Sequence, residues 1–387
     1  MNLHRLNQLF YFLIGLSLFS ACQPTAKKTA DAAVSATPIG VIGTYTRKEG
    51  HVDGKGEGVY LLLSDDSTRI AAKELINPSY VTISNDQQNV YAAEEIGPGT
   101  ADTVGYITAF TYNNGALTKI NRQSSHGYAP CYVTTDAEKR CAFLSNYVSG
   151  TVAIYPLEKN GGLQPASDVK KFTGKGAHPR QDGSHPHSTV LSKDQRFLYV
   201  PDLGLDRIHI FEIDYAKGKL NPANPAFVST ASAAGPRHFA FHPTLSRAYV
   251  INELNSTIVV YEVDEKSGKL TSIQTISTLP ADFKENNYTS DIHLTPNGAF
   301  LYGANRGHDS LAGYAVDAKT GMLTLLGYTS THGLFPRNFA LTPDGKKAYA
   351  ANQNSDNIAI YTIDGKGGLQ FTKEIKTPTP VCIQFLR

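Results

Sequence analysis

The chain has 387 residues, enough for one large repeat domain or two ordinary ones. A formal net charge of +2 with only 18% charged residues implies no nucleic-acid or other polyanion partner. Its 33 glycines and 20 prolines are spread along the length, as many short strands and turns require, and 21 Tyr and 17 Phe supply the aromatic core without any Trp.

The first residues read as an address. His4 and Arg5 form a short basic region, and the apolar run over residues 9–19 is too short to span a bilayer comfortably. Ser20-Ala21-Cys22 then places small residues before a cysteine, the pattern of a lipoprotein signal removed over residues 1–21 with a lipid on the Cys22 thiol. Phe19 stands where Leu is commoner, and the alternative is a signal cut nearby or a retained anchor. Gln23 is not Asp, so nothing resembles an inner-membrane retention signal. The expectation is an exported lipoprotein of the cell envelope, on the outer membrane if the host has one, touching the membrane through its lipid alone. Residues 22–38 then carry the lipidated cysteine and a polar, small-residue tether.

From residue 39 to 387 one pattern recurs. Aligned on the aromatic of its second strand, it has anchors at Tyr91, Phe143, Tyr199, Tyr249, Tyr302 and Tyr349, spaced by roughly 50 residues, which suits four antiparallel strands with turns. First strands read PSYVTIS, PCYVTTD, PHSTVLS, PRHFAFH, SDIHLT and PRNFALT; third strands include YITAFTY, TVAIYPL, RIHIFEI and TIVVYEV. All alternate with the period of two that marks half-buried strands. Residues 39–63 look like second and third strands lacking a first, and residues 379–387 look like a first strand with nothing after it. Joined, they make a seventh unit that closes a ring and leaves no long sheet edge. The predicted fold is therefore all-β: a seven-bladed β-propeller of four-stranded antiparallel blades, closed by the N- and C-terminal strands in one shared blade.

Cys131, Cys141 and Cys382 are an odd set with no zinc spacing, and Cys131 and Cys141 fall at opposite ends of one hairpin, so buried free thiols are expected.

In such a ring the residue after each first-strand proline and the residue after each second strand meet at one mouth of the channel. The first set is Ser79, Cys131, His187, Arg237, Ser290, Arg337 and Val381; the second is Tyr45, Glu95, Tyr147, Leu203, Glu253, Arg306 and Gln353. His187, Arg237, Glu253 and Arg306 fall on three consecutive units. A guanidinium fork suits a carboxylate or phosphate, and an imidazole can take a proton from water. The catalytic candidates are thus His187 as general base, Glu253 to orient or tune it, and Arg237 and Arg306 to hold an anion. Arg337 repeats the Arg237 register and is either a third anion contact or a salt-bridge partner. Arg180, Gln181 and His185 precede His187 in a glycine-rich loop that can cover the mouth, and are read as substrate-binding. Neither metal nor cofactor is required. Asn146, Asp202, Asn252, Asn305 and Asn352 recur at one register and read as turn residues, while His238, His242 and His293 read as packing or surface positions.

The series GTYT (43–46), NPSY (77–80), SNYVSGTVAIY (145–155), PHST (186–189), VPDLGLDRI (200–208), GPRHFAFHP (235–243), VINELNST (250–257), NRG (305–307) and PRNFALTPDG (336–345) resembles the lactonase family of seven-bladed propellers. That family includes 6-phosphogluconolactonase and a fungal carboxymuconate-lactonising enzyme, and the resemblance covers roughly residues 40–387. It implies lactone chemistry, with the muconate enzyme's histidine, glutamate and two arginines falling on His187, Glu253, Arg237 and Arg306. It also implies a small-molecule lactone partner. A cytosolic sugar phosphate fits poorly with an export signal, so lactone hydrolysis is better supported than that substrate. The expected function is hydrolysis of an anionic sugar-derived lactone; the alternatives are a muconate-type cycloisomerase or a non-catalytic surface-binding propeller.

Overall fold

The computed structural model describes residues 36–50 and 52–387. The signal segment, Cys22 and most of the tether lie outside these residues. Among the described residues, no helix is long and apolar enough to cross a membrane.

Each repeat folds into a twisted antiparallel sheet. Blade 5 shows how the sequence dictates this. Pro236–Phe241, Arg247–Asn252, Thr257–Val263 and Leu270–Ser277 pair in chain order from the channel outward. The second and third strands carry Tyr249, Val250, Ile251, Ile258 and Val260, all fully buried because blades stack on both of their faces. The fourth strand faces solvent on one side, and its residues alternate toward polar.

Six blades repeat this order: blade 2 within residues 78–124, blade 3 within 130–171, blade 4 within 190–229, blade 5, blade 6 within 288–330 and blade 7 within 336–376. Blade 1 is the split one. Pro380–Phe385 is its innermost strand, pairing with Pro38–Thr44 through Ile383 opposite Ile42, followed by Gly58–Leu63 and Thr68–Lys73. Both ends of the described chain therefore close the ring as the repeat pattern requires. A short hairpin, Lys48–Glu49 with Val52–Asp53, rises from blade 1.

The anchoring aromatic has a physical reason to be tyrosine. Its ring fills the core between blades, and its hydroxyl reaches the outer turn of the next blade: Tyr199 donates to Gly268 O at 2.8 Å, Tyr249 to Gly321 O at 2.8 Å and Tyr302 to Gly367 O at 2.9 Å. Tyr349 performs the same task across the closure, donating to Asp66 Oδ1 at 2.7 Å. Blade 3 has Phe143 at this register, and there Ser167 Oγ bonds the next turn through Gly218 O at 2.7 Å. The recurring asparagines are staples too. Asn146, Asn305 and Asn352 donate through Nδ2 to Ser125 O, Thr278 O and Thr331 O, carbonyls just past the outer strand of the preceding blade. Cys131, Cys141 and Cys382 are buried free thiols.

Candidate active site

One local irregularity, repeated around the ring, builds the floor of the site. Near the start of each innermost strand the register skips a residue. Pro78 faces Glu94 and Tyr80 faces Ala93, so Ser79 is unpaired; Cys131, Arg237, Arg337 and Val381 are skipped in the same way. In blade 6 the skip takes in Ser290 and Asp291. The residue before the proline sits in the left-handed region in blades 2, 3, 5, 7 and 1, at Asn77 (φ 45°), Ala129 (52°), Gly235 (65°), Phe335 (63°) and Thr379 (40°). A bulge re-aims one side chain out of the strand's alternation, and here it turns the skipped residue toward the ring axis. Functional residue types therefore collect at that register.

Above this floor lies a cavity of about 430 Å³, lined by Glu95, Cys131, Tyr147, Arg180, His187, Glu253, Tyr288, Arg306, Phe335 and Arg337. This volume suits a small sugar-sized ligand. Glu253 is its electrostatic centre. The carboxylate meets Arg180 Nη1 at 2.5 Å, Arg306 Nη2 at 2.8 Å and Arg237 Nε at 2.9 Å. Burial alone would raise the Glu253 carboxyl, but Arg306, Arg180 and Arg237 outweigh it and hold it well below the usual range. Arg306 also donates to Tyr288 O and Thr289 O, at 3.1 and 3.0 Å. Across the cavity Arg337 lies 3.4 Å from Glu95, which accepts a 2.9 Å bond from Tyr45. Burial opposes the Arg337 charge, yet the Tyr45 and Glu95 oxygens win and keep its pKa above the ordinary value.

His187 sits between these two clusters, 5% exposed. Its Nδ1 is 3.7 Å from Cys131 Sγ, and the Tyr147 ring meets it edge-on with centroids 5.3 Å apart. Burial, then repulsion from Arg237, His238 and Arg337, presses its pKa well below 6.5, so the imidazole is neutral at neutral pH. Burial pushes the Cys131 thiol up to about 12, so it stays protonated.

Arg180, Arg306 and Arg337 line the cavity against Glu95 and Glu253, leaving an excess of one positive charge around a neutral base, while Arg237 behind them is offset by Glu253 and Asp291. Such a site favours an anion and can remove a proton.

The residues singled out from the sequence divide into three groups. His187, Glu253, Arg306, Arg337 and Arg180 all line the cavity. Arg237 does not: it is 2% exposed and lies one layer deeper, behind Glu253, with Nη1 bonded to Ser290 O. From that deeper position its Nε pairs with the Glu253 carboxylate. Gln181 and His185 do not line the cavity either. Gln181 is buried with Nε2 donating to Leu203 O and Asp206 Oδ1, both at 2.8 Å, and it pins the loop that presents Arg180. His185 stacks on Tyr147 at 4.5 Å, and its ring nitrogens bond Tyr147 O (2.9 Å) and Asp182 (3.0 Å). The Glu253 carboxylate, expected to orient or tune the base, is occupied by three arginines.

Two lining residues escaped the sequence reading. Tyr288 and Phe335 form aromatic walls, with the Arg180 guanidinium 5.1 Å from the Tyr288 ring and that of Arg306 5.0 Å from the Phe335 ring. The signal was present one residue before the proline register, a position not read as facing the channel.

The profile of a family described as "Lactonase, 7-bladed beta-propeller" matches residues 39–385. A 6-phosphogluconolactonase of Bacillus subtilis is 34% identical over 358 residues, covering 90% of this chain and 98% of its own. One from Formosa agariphila is 30% identical over 313 residues, 77% of this chain and 85% of its own. The solved periplasmic gluconolactonase of Pseudomonas aeruginosa superposes with a TM-score of 0.83 at 31% identity, covering 90% of this chain and 99% of that one.

Proposed function

The chain belongs to the lactonase family of seven-bladed β-propellers, and from that premise we propose that it hydrolyses an anionic, sugar-derived lactone in the Glu253–His187 cavity. The observation that carries this reading is the charge pattern: a neutral buried imidazole amid a surplus of guanidinium groups. Arg306, Arg180 and Arg337 hold the anionic group of the substrate and the oxyanion that develops on the lactone carbonyl. His187 takes a proton from water as its oxygen bonds to the carbonyl carbon. Collapse of the tetrahedral intermediate breaks the bond to the ring oxygen, and His187 returns the proton to that oxygen. The product is the open hydroxy acid, which ionises. Glu253 keeps the arginines aligned and stays ionised throughout. Tyr288 and Phe335 offer apolar faces to the C–H side of a sugar ring.

The leader over residues 1–21 and the cysteine at position 22 support an exported chain held by a lipid on Cys22, with the propeller beyond a short tether. The Pseudomonas relative is itself named periplasmic. In that setting a sugar-acid lactone is a more accessible substrate than a phosphorylated one.

The test is a panel of lactones, with and without phosphate and including a muconolactone, assayed with the purified chain for acid release. Ring opening of at least one anionic lactone is expected. If every member of the panel opens no faster than in buffer, or if only cycloisomerisation of the muconate compound is seen, the hydrolase reading fails.

A further inference from the structure

His187, Cys131 and Arg337 line two spaces: the cavity above and a second, much smaller one of about 10 Å³ beneath it. Ser79, Arg237 and His238 also line the lower space. Each of these three contributes a buried polar atom that makes no hydrogen bond to the protein, namely Ser79 Oγ, Arg237 Nε and His238 Nε2. The 2.9 Å approach of Arg237 Nε to Glu253 is an ion pair too misaligned to count as a hydrogen bond. Orphaned polar atoms are individually costly, and three around one space point to a common partner.

The neighbouring residues determine what that partner is. His238 Nδ1 lies 2.7 Å from Asp291 Oδ1, and the other carboxylate oxygen takes His293 Nε2 at 2.9 Å and Asn338 Nδ2. Burial would raise the Asp291 carboxyl, but His293 and His238 hold it well below the usual range, so it only accepts. Nδ1 therefore carries the proton and Nε2 presents a lone pair. Burial, with Arg237 adding to it, pushes His238 down to about 4, so this tautomer is neutral at neutral pH. The lower space thus offers an N–H donor, a nitrogen lone pair and a hydroxyl that can do either. A cation is repelled by Arg237 and Arg337, and an anion by the lone pair. A water fits on both polarity and size, since one needs roughly 10–15 Å³.

We propose that this space holds one ordered water bound by Ser79, Arg237 and His238, and that the water braces His187 from below, making His238 and Asp291 positioning residues for the base. The proposal rests on His187 acting in the reaction. His238 and His293, which read from the sequence as packing or surface positions, thereby become parts of a support for the site.

A crystal structure of the whole protein at about 1.5 Å should show a water within about 2.7–3.2 Å of both Ser79 Oγ and His238 Nε2. Nitrogen-15 NMR of the histidines should find His238 protonated at Nδ1. Ser79 lies outside the upper cavity, so Ser79→Val fills the lower space without touching bound substrate. It should lower kcat about tenfold with KM unchanged and shift the acid limb of the kcat/KM profile. That limb reports His187 in the field of Arg237, His238 and Arg337, with Cys131 and Tyr147 against its ring. Ser79→Ala leaves room for the water but removes one of its ligands, so its kcat should fall between those of the wild type and Ser79→Val. A dry space, an Nε2-protonated His238, or a Ser79→Val enzyme with wild-type kcat and pH profile would overturn the proposal. Should the wild type open no lactone, the function proposed above falls, and the density and tautomer alone uphold or overturn the water site.

Discussion

His187 and Glu253 occupy one cavity but answer to different forces, and substitution should separate them. His187→Ala should lower kcat for lactone opening by about a hundredfold or more while leaving the melting temperature close to wild type, because general-base catalysis contributes about that much. Retained kcat would remove His187 from the mechanism. The base is active when neutral, and its folded pKa is pressed below 6.5. Activity should therefore be flat through neutrality and fall only at pH below that value; an acid limb centred at or above 6.5 would contradict the burial argument. Glu253→Gln leaves three guanidinium groups short of their counter-charge and should cost about 3–5 kcal/mol in denaturant titrations at pH 7. Because the folded Glu253 pKa is depressed, its contribution is fully present above the unfolded carboxylate value and is lost as pH falls through the folded one. The penalty of the substitution should therefore shrink in acid. At this scale the sequence showed which residue types share a register, since the repeat sets the register. It did not show that Glu253 pairs with Arg180, Arg237 and Arg306 rather than with His187, because the partner of a charge depends on distances between blades.

At the scale of elements, the bulge at the start of each inner strand and the loop before blade 4 do most to shape the site. That loop carries Arg180, and Gln181 ties it to Leu203 and Asp206. Gly204 lets it lie close, since a Cβ there would collide with the Gly183 carbonyl and the His185 ring. Gly204→Ala should displace the loop, weaken the Arg180–Glu253 contact and raise KM for an anionic lactone about tenfold, the loss of roughly one charge-assisted hydrogen bond. The value of kcat should change less than KM. An unchanged KM would mean that Arg180 does not hold the substrate. The strands themselves were legible from their alternation and turn residues. The bulges were not: nothing in PSYV or PRHF announces that the second residue leaves the ladder. Phe335, before Pro336, and Tyr288, at the equivalent register of blade 6, were overlooked for the same reason.

For the whole molecule, closure of the ring is the decisive event. Removing residues 380–387 would strip blade 1 of its innermost strand, expose the edge of Pro38–Thr44 and open the channel wall beside Arg337. Loss of cooperative melting and of activity together is expected, read by circular dichroism and the lactone assay; a truncated chain that melts like the wild type would show that the closure is dispensable. The surplus positive charge of the cavity should make KM for an anionic lactone rise with ionic strength while KM for a neutral one stays level. The sequence by itself determined the repeat, the number of blades, the shared blade at the ends and the register on which His187, Arg237, Glu253 and Arg306 fall, because strand period and turn chemistry are local properties. Only the tertiary structure decided that Arg237 is absent from the cavity lining, that Gln181 bonds Leu203 and Asp206 while His185 bonds Tyr147 and Asp182, and that the His238 ring packs edge-on against His187. Those outcomes depend on bulges and on charges brought together from different blades, and such long-range choices are made only when the ring closes.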